Sequence, residues 1–384
     1  MSDLWNTFGF SEEQKLMRES VLDLLGRVLP REKIRALDEA GEFPFEAYDA
    51  LAKAGWMGLP FKEEYGGSGG SYKDLAVLVE AIGQHFSSMA TGYLITCVYA
   101  AQHIALFGSD FLKKKYLPRV ANGELRMAIA ISEPDTGSDA AAIRTRAEKK
   151  GDRYVVSGQK LYITCAHVAD YLVVVTKTDP EAKRKGISTL LVDAKAKGVT
   201  IKPMETLGRR TTRANEIYLD AVEVPLDHLI GEENRAWKNL MHCLNLERLC
   251  IAAAGTGNLM HAIDYALAYA RERKAFGQPI TGFQAIQHKF ADMRIMAEAA
   301  RAVVYRAAEM LDAGLDPRME IAIAKVLATE SDFRSADLGL QIMGGAGYTM
   351  EHDMQRLFRD SRIGTIGGGS NEIQRNTIAK LMRL

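Results

Sequence analysis

The stretch RYVVSGQKLYITC, residues 153–165, sets the class of this 384-residue chain. It is rich in β-branched and aromatic residues, which favour extended strands. Five further runs of the same kind surround it and are separated by polar turns: MAIAIS (127–132), YLVVVTKTD (171–179), GISTLLVDA (186–194), GVTIKPME (198–205) and NEIYLDAVEV (215–224). Short strands at such close spacing predict an all-β module of about 110 residues.

Helical patterns lie on both sides of this module. Ser11 and Gln14 form a capping box before an apolar repeat, and further helices are predicted at about 46–55, 73–86, 90–107 and 110–121. Later runs at about 235–273, 282–313 and 317–342 are long and amphipathic, as in an up-down bundle. The sequence therefore predicts an α+β protein with an N-terminal α-helical domain (1–124), a central antiparallel β domain (125–234) and a C-terminal four-helix-bundle domain (235–384).

Composition excludes several classes of partner. The formal net charge is zero, which argues against nucleic acid and anionic membranes as partners. No apolar run reaches the roughly 18 residues of a spanning helix. The N-terminus is polar and acidic, unlike a signal or transit peptide, and the four cysteines form no CxxC pair. The N-terminus and the cysteine pattern lead us to expect a cytoplasmic protein. The eight histidines lack metal-ligand spacing, so we expect no bound metal.

Glu247, in LNLERLC (244–250), is the strongest candidate for a catalytic side chain. Its neighbours one helical turn away are all apolar: Cys243, Leu244, Cys250 and Ile251. Burial on such a stripe disfavours the charged carboxylate and raises its pKa, which suits a general base near neutral pH. A structural ion pair, for example with Arg248, is the alternative explanation.

Three other segments have a possible binding role. ISEPDTGSD (131–139) follows a predicted strand and offers donors to a phosphate or a flavin, although a plain polar turn is the favoured explanation. GGAGYT (344–349) follows a helix rather than a strand and lacks GxGxxG spacing, which disfavours a Rossmann site and favours a helix end. Arg273 and Phe276 in RERKAFGQP (271–279) could bind a pyrophosphate and stack on a ring, or simply end a helix.

Taken together, these segments resemble the acyl-CoA dehydrogenase family of flavoproteins over nearly the whole chain. The resemblance rests on ISEPDTGSD, GQKLYIT (158–164), ERKAFGQPI (272–280) with FQAIQHKFADM (283–293), QIMGGAGYT (341–349) and GGGSNEIQR (367–375). It implies FAD bound between the β domain and the bundle, with a neighbouring subunit completing the site. It also implies a homotetramer built as a dimer of dimers, an acyl-CoA substrate and an electron-transfer flavoprotein as electron acceptor.

The resemblance also implies roles for single residues. Those expected at the flavin in their own subunit are Ile131, Ser132, Tyr162 and Thr164. Those expected to reach the pyrophosphate and adenosine half from the partner subunit are Arg273, Phe276, Gln284, Gln341 and Gly345. Ser370 and Glu372 are expected at the ADP end, and the substrate is expected to meet Ser138, Leu244 and Arg248.

The reaction of this family is α,β-desaturation of an acyl thioester. A carboxylate removes the α-proton while the β-hydrogen leaves as hydride to flavin N5, and a flavin hydroxyl and one backbone N–H polarise the thioester carbonyl. Many members carry the base in the loop that here reads RIGTIGGGSNEIQR (362–375), where Gly368 occupies its position. A branch resembling isovaleryl-CoA and long-chain acyl-CoA dehydrogenases takes the base from a helix, in a pattern like LERL. The resemblance therefore points to Glu247 as base and to the Gly368 N–H as the second donor.

The resulting hypothesis is FAD-dependent dehydrogenation of a short, medium-length or branched acyl-CoA. One alternative is an enoyl-CoA reductase of the crotonobetainyl-CoA reductase type, and another is oxidation of an acyl group bound to a carrier protein. A flavoprotein assembly scaffold is the non-enzyme alternative, and the retained Glu247 argues against it.

Overall fold

The computed structural model describes residue 5 and residues 9–384. In this part of the chain the N-terminal region contains the α-helices α1 (Glu12–Val28), α2 (Arg31–Ala40), α3 (Phe45–Lys53), α4 (Tyr72–His85), α5 (Ser87–Leu94), α6 (Ala101–Phe107) and α7 (Asp110–Ala121). The predicted capping box is confirmed, because Ser11 Oγ accepts from the Gln14 N–H and Gln14 Oε1 accepts from the Ser11 N–H. Helix α2 was not predicted from the sequence.

The central region is an eight-stranded sheet. Its strands are β1 (Met127–Ala130), β2 (Arg146–Lys150), β3 (Arg153–Lys160), β4 (Tyr171–Lys177), β5 (Ile187–Asp193), β6 (Val199–Pro203), β7 (Asn215–Pro225) and β8 (Leu229–Ile230). They lie in the order β6-β7-β3-β2-β4-β5-β8, with β1 paired to β4. The expected β domain is present, and most of its strand pairs are antiparallel as predicted.

Strand direction departs from the prediction at β1 and β2. Strand β1 runs parallel to β4, with Met127 opposite Tyr171, and β2 meets β4 in parallel at one residue pair. The intervening residues 131–170 contain the β2–β3 hairpin and are long enough to return the chain in the same direction. Hydrophobic alternation is the same in both kinds of strand pair, so it did not reveal this crossover.

The C-terminal region is the expected helical bundle. Its elements are α8 (Ala236–Glu272), the short strands β9 (Lys274–Ala275) and β10 (Gln278–Pro279), α9 (Gln284–Asp312), α10 (Arg318–Met343), α11 (Met354–Ser361) and α12 (Asn371–Leu381). Helices α8, α9 and α10 alternate in direction through short connections, and α12 packs on the outside of α10. The C-terminal ends of α8 and α10 consequently lie at the same end of the bundle.

One core joins the three regions. Ile82 of α4, Val173 of β4 and Leu249 of α8 belong to a single cluster of buried apolar side chains. Helix α8 therefore packs against both the N-terminal helices and the sheet. The predicted domain boundaries at 124/125 and 234/235 fall in the connections before β1 and before α8.

A buried helical run corrects one expectation from composition. Residues Ser87–Phe107 form 21 continuous helical residues, including the π-helical turn Ile95–Ala100, with a mean hydropathy of 1.2. By length and composition this run could cross a membrane, although no such run was expected. The rest of the protein buries 78% of it, mainly through α4, α8 and β1. It is therefore packed as a core helix.

Candidate active site

Glu247 is a buried carboxylate without a partner. Only 8% of the residue is exposed, and its carboxyl makes no hydrogen bond or ion pair with any residue that the structure describes. Burial raises the pKa of Glu247 to about 7, and the positive charges of Arg248 and Lys325 act in the opposite direction. A carboxyl group poised near neutral pH in apolar surroundings has the properties of a general base.

Arg248 does not form the ion pair considered as an alternative. Consecutive helical residues point to different sides of a helix, and Arg248 extends away from Glu247. Its Nε donates to Gly368 O at 3.1 Å, and its Nη1 donates to Asn245 Oδ1 at 3.2 Å. The guanidinium therefore holds the glycine segment, and contact of Arg248 with substrate stays a prediction.

The glycine segment Gly367–Gly369 passes directly over Glu247. Gly368 has φ +65°, and a Cβ at this position would lie 2.3 Å from Ile251 Cδ1 and 3.6 Å from Glu247 Oε1. A side chain at Gly368 would therefore overlap the wall of the pocket. The N–H groups of Gly368 and Gly369 donate to no described acceptor. Peptide donors and a carboxylate that both lack partners in the described part of the chain thus lie side by side.

On the sheet side, a buried ion pair joins the end of β3 to the segment after β1. Lys160 Nζ donates to Glu133 Oε1 at 2.8 Å and to Ile131 O at 2.9 Å. Both side chains are buried, so the pair is shielded from solvent. The Leu161 N–H donates to Ser132 O at 2.9 Å. These bonds bring the predicted flavin residues Ile131 and Ser132 next to the chain that leads to Tyr162.

Tyr162 projects from this rigid platform. Its φ is +62°, an unusual value for a residue with a side chain, and 63% of the residue is exposed. Thr164 lies two residues further on and is half-buried. An exposed aromatic ring on constrained backbone next to a half-buried hydroxyl suits a flat heteroaromatic ligand.

Leu244 and Ile131 both pack against the small apolar cluster between α8 and the sheet. Both belong to the same small apolar cluster with Trp237. Leu244 lies one helical turn before Glu247, so this cluster forms an apolar wall next to the carboxylate. Ser138 is exposed in the turn after Ile131, further from the core.

Five of the predicted cofactor residues lie far from this site within the same chain: Arg273, Phe276, Gln284, Gln341 and Gly345. Arg273 directly follows α8, 26 residues after Glu247, so a rise of 1.5 Å per residue separates them by about 40 Å. All five are exposed at the same end of the bundle, and Phe276 is 94% exposed. One chain alone does not bring these residues to Glu247.

Ser370 and Glu372 lie at the start of α12, on the Glu247 side of the bundle. Ser370 Oγ accepts from the Ile373 N–H at 3.4 Å and therefore caps the helix. Glu372 is exposed in the first turn, where a backbone N–H and Ser370 lower its pKa. Both residues have a local structural role, and their predicted contact with the cofactor remains untested.

Residues that sequence reasoning missed also belong to this site: Tyr99, Lys325, Asn371 and Gln374. Burial, and next the charge of Glu247, raise the pKa of Tyr99, which places the π-helical turn beside the carboxylate. Lys325 is fully buried in α10. Its helical neighbours, Ile321, Ala322, Ala328 and Thr329, would have revealed it by the reasoning applied to Glu247.

The arrangement defines a class of enzyme. The Glu247 carboxyl lies next to the Gly368 and Gly369 N–H groups, which have no acceptor among the described residues, and this is the geometry needed to remove a proton beside a carbonyl group while polarising its oxygen. The exposed ring of Tyr162, next to the residue that bonds Ser132, offers a surface for stacking of a planar cofactor. The site therefore belongs to an enzyme that acts on carbon next to a carbonyl with the help of such a cofactor.

Comparison with known proteins gives the family. The models of the acyl-CoA dehydrogenase N-terminal, middle and C-terminal domains match residues 11–124, 128–222 and 234–382. The chain is 37% identical to the probable acyl-CoA dehydrogenase YngJ of Bacillus subtilis, covering 97% of this chain and 98% of that one. It is 35% identical to the 3-(aryl)acrylate reductase of Clostridium sporogenes, covering 96% and 98%.

A solved structure gives the same result. Butyryl-CoA dehydrogenase of Megasphaera elsdenii matches with a TM-score of 0.93 and 30% identity, covering 98% of this chain and 100% of that one. The chain belongs to the acyl-CoA dehydrogenase family, as the sequence motifs predicted. It is an FAD-dependent oxidoreductase that acts on the CH–CH group of acyl-CoA compounds.

Proposed function

We propose that the protein dehydrogenates the α,β bond of a short, medium-length or branched acyl-CoA. In this proposal Glu247 removes the α-proton, and the Gly368 N–H donates to the thioester carbonyl oxygen as negative charge develops there. The observation that carries the proposal is the Glu247 carboxylate, which has no partner among the described residues and lies beside Gly368, a glycine with left-handed backbone at φ +65°. An α-proton of a thioester is too weakly acidic to leave without both groups.

The chain's residues fit FAD. The 63% exposed Tyr162 and the unpaired N–H groups of the glycine segment are groups that a bound cofactor and a thioester would cover. When bound, FAD supplies the acceptor for the β-hydrogen. Ile131, Ser132 and Thr164 would hold the flavin against the sheet, and the apolar wall at Leu244 would exclude water from Glu247.

The proposal includes two protein partners. A second copy of the chain would bring Arg273 and Phe276, which lie about 40 Å from Glu247 within one chain, to the cofactor. Such a pair is the building unit of the proposed homotetramer. An electron-transfer flavoprotein would accept the electrons, and we place the reaction in the cytoplasm from the sequence alone.

The test is anaerobic bleaching of the flavin by a panel of straight and branched acyl-CoA thioesters, with one carrier-protein thioester included. Glu247→Gln should retain FAD and bleach ~10²–10⁴-fold more slowly, the usual contribution of a general base. Glu32→Gln, an exposed carboxylate on α2, is the control. Near-normal bleaching by Glu247→Gln would exclude Glu247 as the base, and bleaching by the carrier thioester alone would exclude acyl-CoA as the substrate.

A reductive direction is the second candidate. The observation that favours it is the similarity over nearly the full length to a 3-(aryl)acrylate reductase. In that direction a protonated Glu247 would deliver the proton to the α-carbon. Mixing the dithionite-reduced enzyme with an enoyl-CoA tests this, because reoxidation faster than bleaching by the saturated thioester would identify a reductase.

A further inference from the structure

Side chains from three helices donate hydrogen bonds to the backbone carbonyls of the glycine segment. Arg248 Nε donates to Gly368 O at 3.1 Å, and Lys325 Nζ donates to Gly369 O at 3.0 Å. Gln374 Nε2 also reaches Gly369 O, at 3.1 Å. The carbonyl groups of this segment are thus engaged on one side, while its N–H groups have no described acceptor.

Glycines need such support. Three consecutive glycines have more conformational freedom than any other tripeptide of natural residues, so the segment does not fix its own peptide planes. A trans peptide places its N–H opposite its C=O. Bonds to the Gly368 and Gly369 carbonyls therefore fix the directions of the Gly369 and Ser370 N–H groups, and they anchor the chain immediately after the Gly368 N–H.

Of these three side chains, Lys325 is the one whose burial is energetically most unfavourable. It is fully buried on α10, and its second bond goes to Asn371 Oδ1 at 2.8 Å. It makes no ion pair with a described residue, so its ammonium group is held by neutral oxygens alone. A buried ammonium group that contacts no carboxylate directly destabilises a fold relative to an apolar side chain of similar size, even where carboxylates lie further away. Packing of the fold therefore does not explain a lysine here.

We propose that Lys325 is a positioning residue for the reaction: its ammonium group fixes, through Gly369, the glycine segment that lies against Glu247, and it places a positive charge behind that segment. This inference rests on the proposed function, because it assumes that Glu247 is the base. It adds a group on a different helix that acts on both halves of the site, the carbonyl-polarising loop and the carboxylate.

The charged surroundings support the electrostatic half of the proposal. Arg248 on α8 and Lys325 on α10 both lower the pKa of Glu247, while Tyr99 of the π-helical turn, Cys243 and Cys250 face it as neutral groups. Burial and then Arg248 lower the pKa of Lys325 to about 8, and the nearby carboxylates of Glu372, Glu247 and Glu330 oppose this. Lys325 is therefore largely protonated at pH 7, where about half of Glu247 is ionised.

The experiment compares Lys325→Met, Lys325→Arg and the exposed control Lys114→Met, each as FAD-loaded protein. The readout is the pH dependence of anaerobic flavin bleaching by an acyl-CoA that the wild type oxidises. Lys325→Met should bleach at least about 10-fold more slowly at pH 7, as expected for lost preorganisation. The acidic limb of its pH–rate profile should also move to higher pH. Lys325→Arg should keep the limb near that of the wild type and recover most of the rate.

An unchanged acidic limb in Lys325→Met overturns the proposal, whether or not the rate falls, because a purely structural role would lower the rate at every pH alike. If that variant does not accumulate as folded protein, Lys325→Gln replaces it and must show the same shift. Glu247→Gln separates this proposal from the proposed function. If Glu247→Gln is inactive while Lys325→Met behaves as wild type, only the positioning role fails; if Glu247→Gln bleaches normally, the proposed function fails.

Discussion

The burial that suits Glu247 to its proposed role as base also destabilises the folded protein. An ionised carboxylate is strongly hydrated in the unfolded chain and loses that hydration in the pocket. Its pKa is raised to about 7 from an ordinary value of 4.5. Because the folded pKa is the higher one, folded Glu247 retains its proton where the unfolded chain has already lost it. The stability associated with this group is therefore present at low pH and is lost as the pH rises from about 4.5 to about 7.

Glu247→Gln should accordingly stabilise the protein above pH 7 while it abolishes activity. At 1.36 kcal/mol per pKa unit the increase in the free energy of unfolding is at most about 3 kcal/mol at pH 8, and it should vanish near pH 4.5. Thermal unfolding of the FAD-loaded proteins at several pH values measures it, with Glu32→Gln as control. A difference that is the same at all pH values would show that ionisation of Glu247 is not its cause.

Gly368 and Gly367 differ in what a methyl group would meet. At Gly368 an alanine would adopt φ +65° and overlap Ile251 Cδ1, whereas at Gly367 the nearest atom lies at 3.6 Å, an ordinary contact. Gly368→Ala should therefore lower the free energy of unfolding by roughly 1–2 kcal/mol or more and reduce flavin bleaching, because left-handed backbone disfavours a Cβ. Gly367→Ala is the matched control and should have a smaller effect. Equal effects of the two substitutions would contradict the assignment of Gly368 as the close approach.

At the scale of the elements, local signals predicted the long helices well. The run predicted at 235–273 is α8, Ala236–Glu272, because an apolar repeat with a glycine and proline stop is encoded locally. The parallel pairing of β1 with β4 was missed, because strand partners are chosen by tertiary packing. The π-helical turn that brings Tyr99 to Glu247 was missed for the same reason, since its register depends on contacts with β1 and α8.

The candidate site shows the same division between local and distant information. Glu247 was found because its apolar neighbours lie within one helical turn, and Gly368 because the surrounding motif is distinctive. The bonds from Lys325 to Gly369 and Asn371 join residues 44 and 46 positions apart. No spacing rule encodes such contacts, so the polar support of the glycine segment became visible only in three dimensions.

Helix α12 permits a test of the predicted cofactor contact. Glu372 is exposed, and Ser370 already caps the helix without it. Glu372→Ala should therefore leave the fold intact and weaken FAD retention, while protein that is fully FAD-loaded should bleach at a near-normal rate. The FAD-to-protein absorbance ratio after gel filtration measures retention, and Lys380→Ala at the other end of α12 is the control. Blocked bleaching in the loaded variant would give Glu372 a catalytic role instead.

At the scale of the whole molecule, the length of α8 separates the two groups of residues that the proposal assigns to the site. Glu247 and the glycine segment lie at one end of the bundle, and Arg273 and Phe276 lie about 40 Å away at the other. One chain does not place both groups around a single cofactor. A two-fold pair of chains does so if the distal end of one chain reaches the Glu247 end of its partner, and each pair then contains two equivalent sites.

This arrangement predicts that two defective chains restore activity together. In a mixed pair of Glu247→Gln and Arg273→Ala chains, one site contains both substitutions and the other contains neither. Random pairing of equal amounts makes half of the pairs mixed, so co-expression should give about a quarter of the wild-type bleaching sites. Separately purified variants that are mixed without subunit exchange are the control. If co-expressed chains show no more activity than this control, each site is built from a single chain, and the 40 Å separation must be bridged in another way.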